Sequence, residues 1–310
     1  MNIIDTIMAS GKSAVDIALY TLIPIMVVML VLMKYLESQG LLASFVSVAT
    51  PGLKPFGLVG LSLFALIQLN FVSFAAPVAT LAIMDRKGIS DRHLAATLAM
   101  LFAMGQANVM YPLSSFGLNW PLTILLSMVG GLVASALTFY LFARPLSALE
   151  GEVLDRDQVA QKVPEGLIGL VNKAGNEAIS IAIGAIPMLI LSLTAVGILQ
   201  SIGFIATLEQ LLSPLLSWLH VPTVLVMPML VKCLAGGTAY LAIVRDLIGT
   251  GKVDAHILNE YAGWFLQTID LPGIGILLGA GMRIAKVARF AMVGGLVGIF
   301  VRGILHLVLF

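Results

Sequence analysis

Charged side chains are scarce in this chain. Only 11% of its 310 residues are Asp, Glu, Lys or Arg, and 59% are hydrophobic, whereas an ordinary soluble domain has roughly 25% charged residues. This composition excludes a water-soluble globule of this size, because too little polar surface is available to cover it. Apolar runs such as 17–32 and 121–142 approach or exceed the ~20 residues that a helix needs to cross a bilayer. We therefore predict an all-α, polytopic transmembrane protein.

Cysteine, strong net charge and enzyme signatures are also lacking. The single Cys233 excludes an intramolecular disulfide and a metal site built from a cysteine cluster. A net charge of +1 provides no basic surface for nucleic acid. The sequence has no zinc-protease, serine-hydrolase, phosphate-loop or dinucleotide-binding motif, so we expect neither an enzyme nor a cofactor or metal. Asp5 and Asp16 interrupt the first apolar stretch, which favours a helix lying in the membrane surface over a signal peptide.

The hexapeptide MVGGLV occurs twice, at 128–133 and 292–297, a separation of 164 residues. Further matches at a separation of 163 residues include Pro, Gly, Asp and His, which a shared apolar composition does not explain. The matched pairs are Ile23-Pro24 with Ile186-Pro187, Pro51 with Pro214, Gly88 with Gly251, Asp91 with Asp254 and His93 with His256. We predict two copies of one unit, 1–147 and 164–310, joined by a polar linker at 148–163.

Each copy is predicted to contain the same series of segments. A short amphipathic helix precedes a spanning helix, and an amphipathic stretch that ends in Pro follows. A long apolar segment with polar or Gly residues near its centre comes next. A charged loop, an interrupted helix and a final span follow. The predicted bounds are 17–36 and 179–200, 41–51 and 204–214, 56–84 and 223–247, 94–113 and 257–281, and 119–143 and 287–310. Asp91 and Asp254 are predicted to cap the interrupted helices.

The distribution of Lys and Arg bears on how each copy crosses the membrane, because cytoplasmic loops are enriched in these residues. Four crossings per copy would make the copies parallel. Three crossings, in which the long apolar segment forms a re-entrant hairpin and does not cross, would invert the second copy. In the inverted scheme only Lys12, Arg245 and Lys252 face the outside. Because this scheme separates the charges better, we predict two inverted repeats with both termini outside and the linker in the cytoplasm.

Four apolar segments contain Pro, Gly and polar residues near their centres, at 68–77, 105–112, 232–240 and 266–273. Broken helices near the bilayer midplane commonly form the binding sites of transporters. We predict that the polar groups of these segments line a solute site. The candidate residues are Asn70, Gln106, Asn108, Lys232, Gln267, Thr268 and Asp270.

Lys232 and Asp270 are the ionisable pair that we place deepest in the membrane. A charge at mid-bilayer costs about 2.5–3.5 kcal/mol on insertion scales, so their presence indicates pairing or function. They either bind a solute, or couple it to an ion or proton, or form a buried structural salt bridge; Lys232 alone could also extend to the interface. The alternative for the amides is hydrogen bonding between helices. MVGGLV is predicted to let helices approach closely and not to form a site.

The second copy also resembles a known family. Its stretch IPMLILSLTAVGILQSIGFIATLEQLLSPLLSWLHVP is similar to the nucleoside-recognition (Gate) domain family, whose signature is IP, an apolar run, a Gly near the end of the span and an amphipathic stretch closing in LLSPLL. The first copy is a weaker version. Such domains occur in spore maturation proteins and in the gate regions of concentrative nucleoside transporters and ferrous-iron transporters. The resemblance implies paired inverted units with re-entrant elements.

Together these features predict an inner-membrane transporter or permease-like protein. The family name suggests nucleosides as the substrate class, and the lack of a soluble GTPase domain argues against ferrous iron. We expect a small polar solute, with or without a coupling ion, to bind between the copies. The alternative is a non-transporting membrane partner or scaffold protein of the spore-maturation type. Both alternatives allow a homo-oligomer, and both place the chain in the lipid bilayer.

Overall fold

The structure is a computed structural model that describes residues 3–148, 166–204, 206–208, 210–211, 214 and 221–310. These residues contain helices and no strand, as predicted. We number the α-helices with defined bounds α1 to α13. They are α1 Ile3–Asp16, α2 Ile23–Ser38, α3 Leu41–Leu53, α4 Gly60–Phe71, α5 Pro77–Arg86, α6 Asp91–Ala103, α7 Ala107–Ser114, α8 Trp120–Leu137, α9 Leu167–Ser201, α10 Val226–Gly249, α11 Ala255–Phe265, α12 Leu271–Leu278 and α13 Met282–Leu309. The predicted linker lies almost entirely outside the described residues.

Several helical segments of the described residues are long and apolar enough to cross a membrane. Four qualify by themselves, and Val48–Phe56 with Gly60–Phe71 forms a pair bent by 98° that adds a fifth. The four are Asp91–Ser114, Trp120–Phe142, Thr223–Gly249 and Met282–Leu309. The chain is thus a multi-pass membrane protein. Whether the second copy is inverted relative to the first remains a prediction.

The interruptions predicted within the long apolar segments are present. Helices α4 and α5 are separated at 72–76, α6 and α7 at 104–106, and α11 and α12 at 266–270. Helix α10 is broken by a kink at its Gly pair, where Gly236 has non-helical angles of φ 84° and ψ −177°. Polar residues, Gly and Pro thus mark the breaks, because each weakens the helix relative to an apolar run.

Two local predictions need correction. Ser90, and not Asp91, caps α6, because its hydroxyl accepts a hydrogen bond from His93 N; Asp254 caps its helix as predicted. The amphipathic helix predicted before each span is not separate from it in either half. In the first half a π-helical segment, Ile17–Leu22, joins α1 to α2 without interruption. In the second half both lie in the single 35-residue helix α9, since Ala174, Glu177 and Ala178 between them favour helix continuation.

The first Gly of each MVGGLV hexapeptide packs against the turn that follows the other hexapeptide, which confirms the predicted role of these residues in close helix packing. A Cβ added to Gly130 of α8 would lie 2.7 Å from the carbonyl oxygen of Gly298 on α13. A Cβ on Gly294 would lie 2.9 Å from the carbonyl oxygen of Ala134. Larger side chains would separate these helices, so the small residues set the spacing between the final helices of the two copies.

Arg283, at the start of α13, joins that helix to the end of α5 and the start of α6. Its guanidinium donates to the carboxylates of Asp85 (3.1 Å) and Asp91 (2.6 Å) and to the carbonyl oxygens of Asp85 (3.1 Å) and Ile89 (2.8 Å). The separation of 164 residues relates Arg283 to Asn119. Asn119 occupies the corresponding turn, where its N–H donates to Asn259 Oδ1 at 2.7 Å. The two positions that the predicted repeat relates therefore make ionic contacts at Arg283 and a neutral hydrogen bond at Asn119.

We expect Arg283→Gln to lower the free energy of unfolding by about 2 kcal/mol, because a hydrogen bond to a charged group contributes about 1.5–3 kcal/mol and solvent partly screens this one. Chemical denaturation in detergent measures the change. Arg289→Gln is the matched control on the same helix, since Arg289 is exposed and lies over the Phe290 ring at 4.6 Å. An effect of Arg283→Gln no larger than that of the control would contradict the assigned role.

Candidate functional site

The break between α6 and α7 (104–106) lies against the break between α11 and α12 (266–270), and hydrogen bonds join the two. We call this contact the crossing. The N–H of Gln106 donates to the carbonyl oxygen of Leu266 at 3.1 Å, and the N–H of Thr268 donates to that of Phe102 at 3.2 Å. Unwinding a helix leaves backbone donors and acceptors that need partners when water is excluded. Each break therefore supplies hydrogen-bond partners for the other, which holds the two breaks together.

Side chains of the breaks add to this contact. Gln106 Nε2 donates to the carbonyl oxygen of Gln267 at 2.9 Å. Thr268 Oγ1 donates to the carbonyl oxygen of Leu101 at 2.6 Å. Hydrogen bonding between helices, the alternative considered for the amides, is thus part of what these residues do. Both side chains have a structural function as well as a position in the predicted site.

Lys232 and Asp270 form a buried ion pair in which Lys232 Nζ donates to Asp270 Oδ2. Both side chains are only 1% exposed. The other carboxylate oxygen, Asp270 Oδ1, accepts from Gly273 N at 2.7 Å and caps α12. Gln106 Nε2 also lies 3.4 Å from Asp270 Oδ2. The negative charge of Asp270 is stabilised by a cation, an amide and a helix N-terminus.

The Gly pair of α10 lies directly against this ion pair. A Cβ on Gly236 would lie 3.2 Å from Pro272 Cγ and 3.4 Å from Asp270 Oδ1. A Cβ on Gly237 would collide with Gln106 Oε1. The pair therefore permits both the unusual backbone angle and the close approach that bring α10 to the crossing.

The hydrogen bonds bring together most of the predicted residues, but not all of them. Four of the seven, Gln106, Gln267, Asp270 and Lys232, are directly connected. Asn108 Nδ2 bonds Thr238 Oγ1 on α10 at 3.4 Å. Asn70 instead donates to Leu66 of its own helix at 2.8 Å. All seven are buried, with none more than 7% exposed.

Several buried oxygen atoms at the breaks have no hydrogen-bond partner among the described residues. Buried polar atoms in folded proteins are nearly always hydrogen-bonded, and each one left unpaired costs about 1–3 kcal/mol. Four are amide oxygens and one is a hydroxyl. They are Asn70 Oδ1, Ser73 Oγ, Gln106 Oε1, Asn108 Oδ1 and Gln267 Oε1. Three of these free acceptors, those of Gln106, Asn108 and Gln267, lie beside the contact between the α6/α7 and α11/α12 breaks, and two lie near the break between α4 and α5.

Arg302 is a functional candidate that the sequence analysis did not include. It is fully buried on α13, and its Nε donates to the carbonyl oxygen of Gly263 on α11 at 2.8 Å. Its Nη1 donates to Ser127 Oγ at 3.3 Å. A lone Arg inside a predicted span was the signal available, but its partners lie 39 and 175 residues away in sequence. Within the described residues no group of three or more His, Cys, Asp or Glu could hold a metal ion.

Comparisons with known proteins identify the fold. No family model and no curated protein matches the sequence. A solved variant of CNTnw in an intermediate state is 19% identical, with a TM-score of 0.62 over 93% of this chain and 75% of that one. A CNTnw double variant in an outward-facing state is 20% identical, with a TM-score of 0.65 over 98% of this chain and 83% of that one. CNTnw is a concentrative nucleoside transporter, so this chain is similar in fold to a transporter.

Proposed function

We propose that the chain is a membrane transporter that moves a small polar solute through the crossing of its helix breaks. The observation that carries the proposal is the set of buried oxygens without partners beside a buried ion pair, where broken helices of the two halves meet. A scaffold needs no such atoms, and unpaired polar atoms weaken a packed centre. The CNTnw-like fold supports the same conclusion.

The chemistry of the free atoms narrows the solute class. Carbonyl oxygens accept hydrogen bonds and coordinate cations, but they cannot donate. The partner of Gln106 Oε1, Asn108 Oδ1 and Gln267 Oε1 must therefore present hydrogen-bond donors or be a cation. Nucleosides present donors through sugar hydroxyls and base amino groups, and we propose this class. Asn70 Oδ1 and Ser73 Oγ are two further free oxygens near the break between α4 and α5, and they suit a donor group or a coupling cation.

We further propose that the two copies are inverted repeats and that the protein resides in the inner membrane of a bacterium. The element order supports the duplication. In each half an interrupted helix (α6–α7 and α11–α12) follows an apolar segment that is itself broken (α4–α5 and α10). Accessibility of single cysteines, introduced at residue 92 or 252 after Cys233 has been replaced by Ser, to an impermeant maleimide tests the inversion. Modification from opposite sides of the membrane is expected, and modification from the same side would contradict it.

Uptake by reconstituted protein tests the transport function. We expect proteoliposomes to accumulate one or more nucleosides from a panel of nucleosides, nucleobases and divalent metals, and the same compound to raise the unfolding temperature. A solute at 100 times its Kd stabilises the folded state by about 2.7 kcal/mol. If no compound is taken up or shifts the unfolding temperature, the proposal fails and the scaffold alternative gains support.

Gln106→Ala is expected to weaken solute binding about tenfold, because it removes a free acceptor and the amide that contacts Asp270. The measurement is the solute concentration that gives a half-maximal rise in unfolding temperature. Gln39→Ala is the matched control, since Gln39 is exposed in the turn between α2 and α3. Equal solute affinity in both variants would remove Gln106 from the site.

A further inference from the structure

Arg302 is a buried cation whose described hydrogen-bond partners are all neutral. A guanidinium within a membrane helix is expensive unless its charge is compensated. Its acceptors are the carbonyl oxygen of Gly263 and the hydroxyl of Ser127. Neither is a carboxylate, so the position of Arg302 in the fold must supply the compensation.

The ends of the interrupted helices supply it. Gly263 lies in the last turn of α11, which ends at Phe265. A helix C-terminus carries a partial negative charge and has carbonyl oxygens without intrahelical partners. The guanidinium satisfies one of these carbonyls directly beside the break that follows. Asp270 does the opposite across the same break, where its negative charge caps the N-terminus of α12.

The Nη1 atom of Arg302 is connected to the break between α6 and α7 through Ser127. Ser127 Oγ, which accepts from Arg302 Nη1, also accepts from the N–H of Gly105 at 3.2 Å. Gly105 lies between α6 and α7, where helix unwinding leaves this N–H without a helical partner. One side chain on α13 is therefore connected to both breaks, directly to one and through Ser127 to the other.

Close packing fixes the position of the Arg302 backbone. A Cβ on Gly130 of α8 would lie 3.1 Å from Arg302 Cβ. A Cβ on Gly263 of α11 would lie 2.7 Å from the carbonyl oxygen of Arg302. Because glycines bring both neighbouring helices against it, α13 has little freedom to shift relative to either break. The guanidinium is thus held by rigid elements.

We propose that Arg302 is a positioning residue that sets the distance between the two helix breaks and thereby the affinity of the solute site. This inference rests on the proposed transport function. Arg302 acts through Gly263, Ser127 and Gly105, and these hold Gln106 and Asp270 in the geometry that the solute meets.

The test compares Arg302→Gln, Arg302→Lys and Ser127→Ala with Arg289→Gln, the same substitution at an exposed site of α13. Uptake kinetics give KM and the maximal rate. The rate of Cys233 alkylation by N-ethylmaleimide is a readout that needs no solute, because Cys233 is exposed, is the only cysteine in the chain and follows Lys232. Unfolding temperature reports stability separately.

We expect Arg302→Gln to raise KM about tenfold, as for the loss of hydrogen bonds from a charged donor, and to change the Cys233 alkylation rate. Arg302→Lys should have smaller effects on KM and on the Cys233 alkylation rate. It keeps the positive charge but lacks the branched guanidinium that binds two acceptors at once. Ser127→Ala should raise KM about threefold, since it removes one neutral hydroxyl. Arg289→Gln should match the parent protein.

Two results would overturn the inference. One is a lower unfolding temperature with unchanged KM and Cys233 alkylation, which would make Arg302 merely structural. The second applies if Arg302→Gln yields no folded protein. It is a Ser127→Ala variant whose KM and Cys233 alkylation rate equal those of the parent protein. Absence of uptake in the parent protein is a separate failure that refutes the transport function, and the Cys233 alkylation rates still decide whether Arg302 positions the breaks.

Discussion

Solute uptake should be abolished by Lys232→Ala, which leaves the carboxylate of Asp270 buried without its cation. Removing one member of a buried ion pair costs about 3–5 kcal/mol, because the remaining charge is no longer compensated. We expect the same loss of uptake for Asp270→Asn. Its loss of stability should be smaller, since Asn has nearly the volume of Asp and keeps the cap on α12, whereas Lys232→Ala also leaves a cavity. Proteoliposome uptake and chemical denaturation measure the two effects on the same preparations.

A double variant separates function from stability. Lys232→Met combined with Asp270→Asn removes both charges and retains similar volumes and the cap on α12. Its free energy of unfolding should exceed that of Lys232→Ala, because neutral replacement of a buried pair is often close to neutral in stability. Uptake should remain absent. Parental uptake in Asp270→Asn and in the double variant would reduce the pair to a structural salt bridge and remove it from the mechanism.

Gly236→Ala is expected to have the second largest effect. Gly236 has φ 84° and ψ −177°, a conformation that is essentially restricted to Gly and costs other residues about 1–3 kcal/mol. The added Cβ would also lie 3.2 Å from Pro272 Cγ at the start of α12. We expect a lower unfolding temperature and loss of uptake, because α10 can no longer turn toward Asp270.

Gly249→Ala provides the matched control within the same helix. A Cβ added to Gly249 would have no heavy atom of another residue within 4 Å beyond its own helical turn, and the φ of Gly249 is not positive. Replacing Gly by Ala in a helix is stabilising by up to about 1 kcal/mol, so this variant should keep uptake and unfold at the same or a higher temperature. If Gly236→Ala behaves like Gly249→Ala, the break in α10 has no functional importance.

The sequence predicted the positions of the breaks better than their contacts. Polar and glycine residues within apolar runs located 105–112 and 266–273, because local composition determines where a membrane helix weakens. Pairing of Lys232 with Asp270 could only be an alternative, since partners 38 residues apart are chosen by tertiary packing. Asn70 is predicted to line the site because it is a polar residue of the segment 68–77, yet its amide donates to Leu66 of its own helix.

Arg302 and Ser90 illustrate why local sequence does not predict which groups come into contact in the fold. The partners of Arg302 come from helices remote in sequence, so no local pattern predicts them. Asp91 was a plausible helix cap by residue type, but Arg283 binds its carboxylate and Ser90 takes the capping position. Local signals identify candidate groups, and competition among neighbours in space decides which role each one takes. That the seven predicted residues bind a solute remains a prediction.

The packing of α8 against α13 has an evolutionary consequence on the prediction that the chain is a duplicated unit. Gly130 and Gly294 each pack against the position four residues beyond the equivalent Gly of the other helix, so the contact has the symmetry of a homodimer interface. On that prediction, an ancestor of half this length paired as a homodimer through the same glycines before its gene was fused in tandem. On the predicted inverted arrangement, that ancestor entered the bilayer in both orientations.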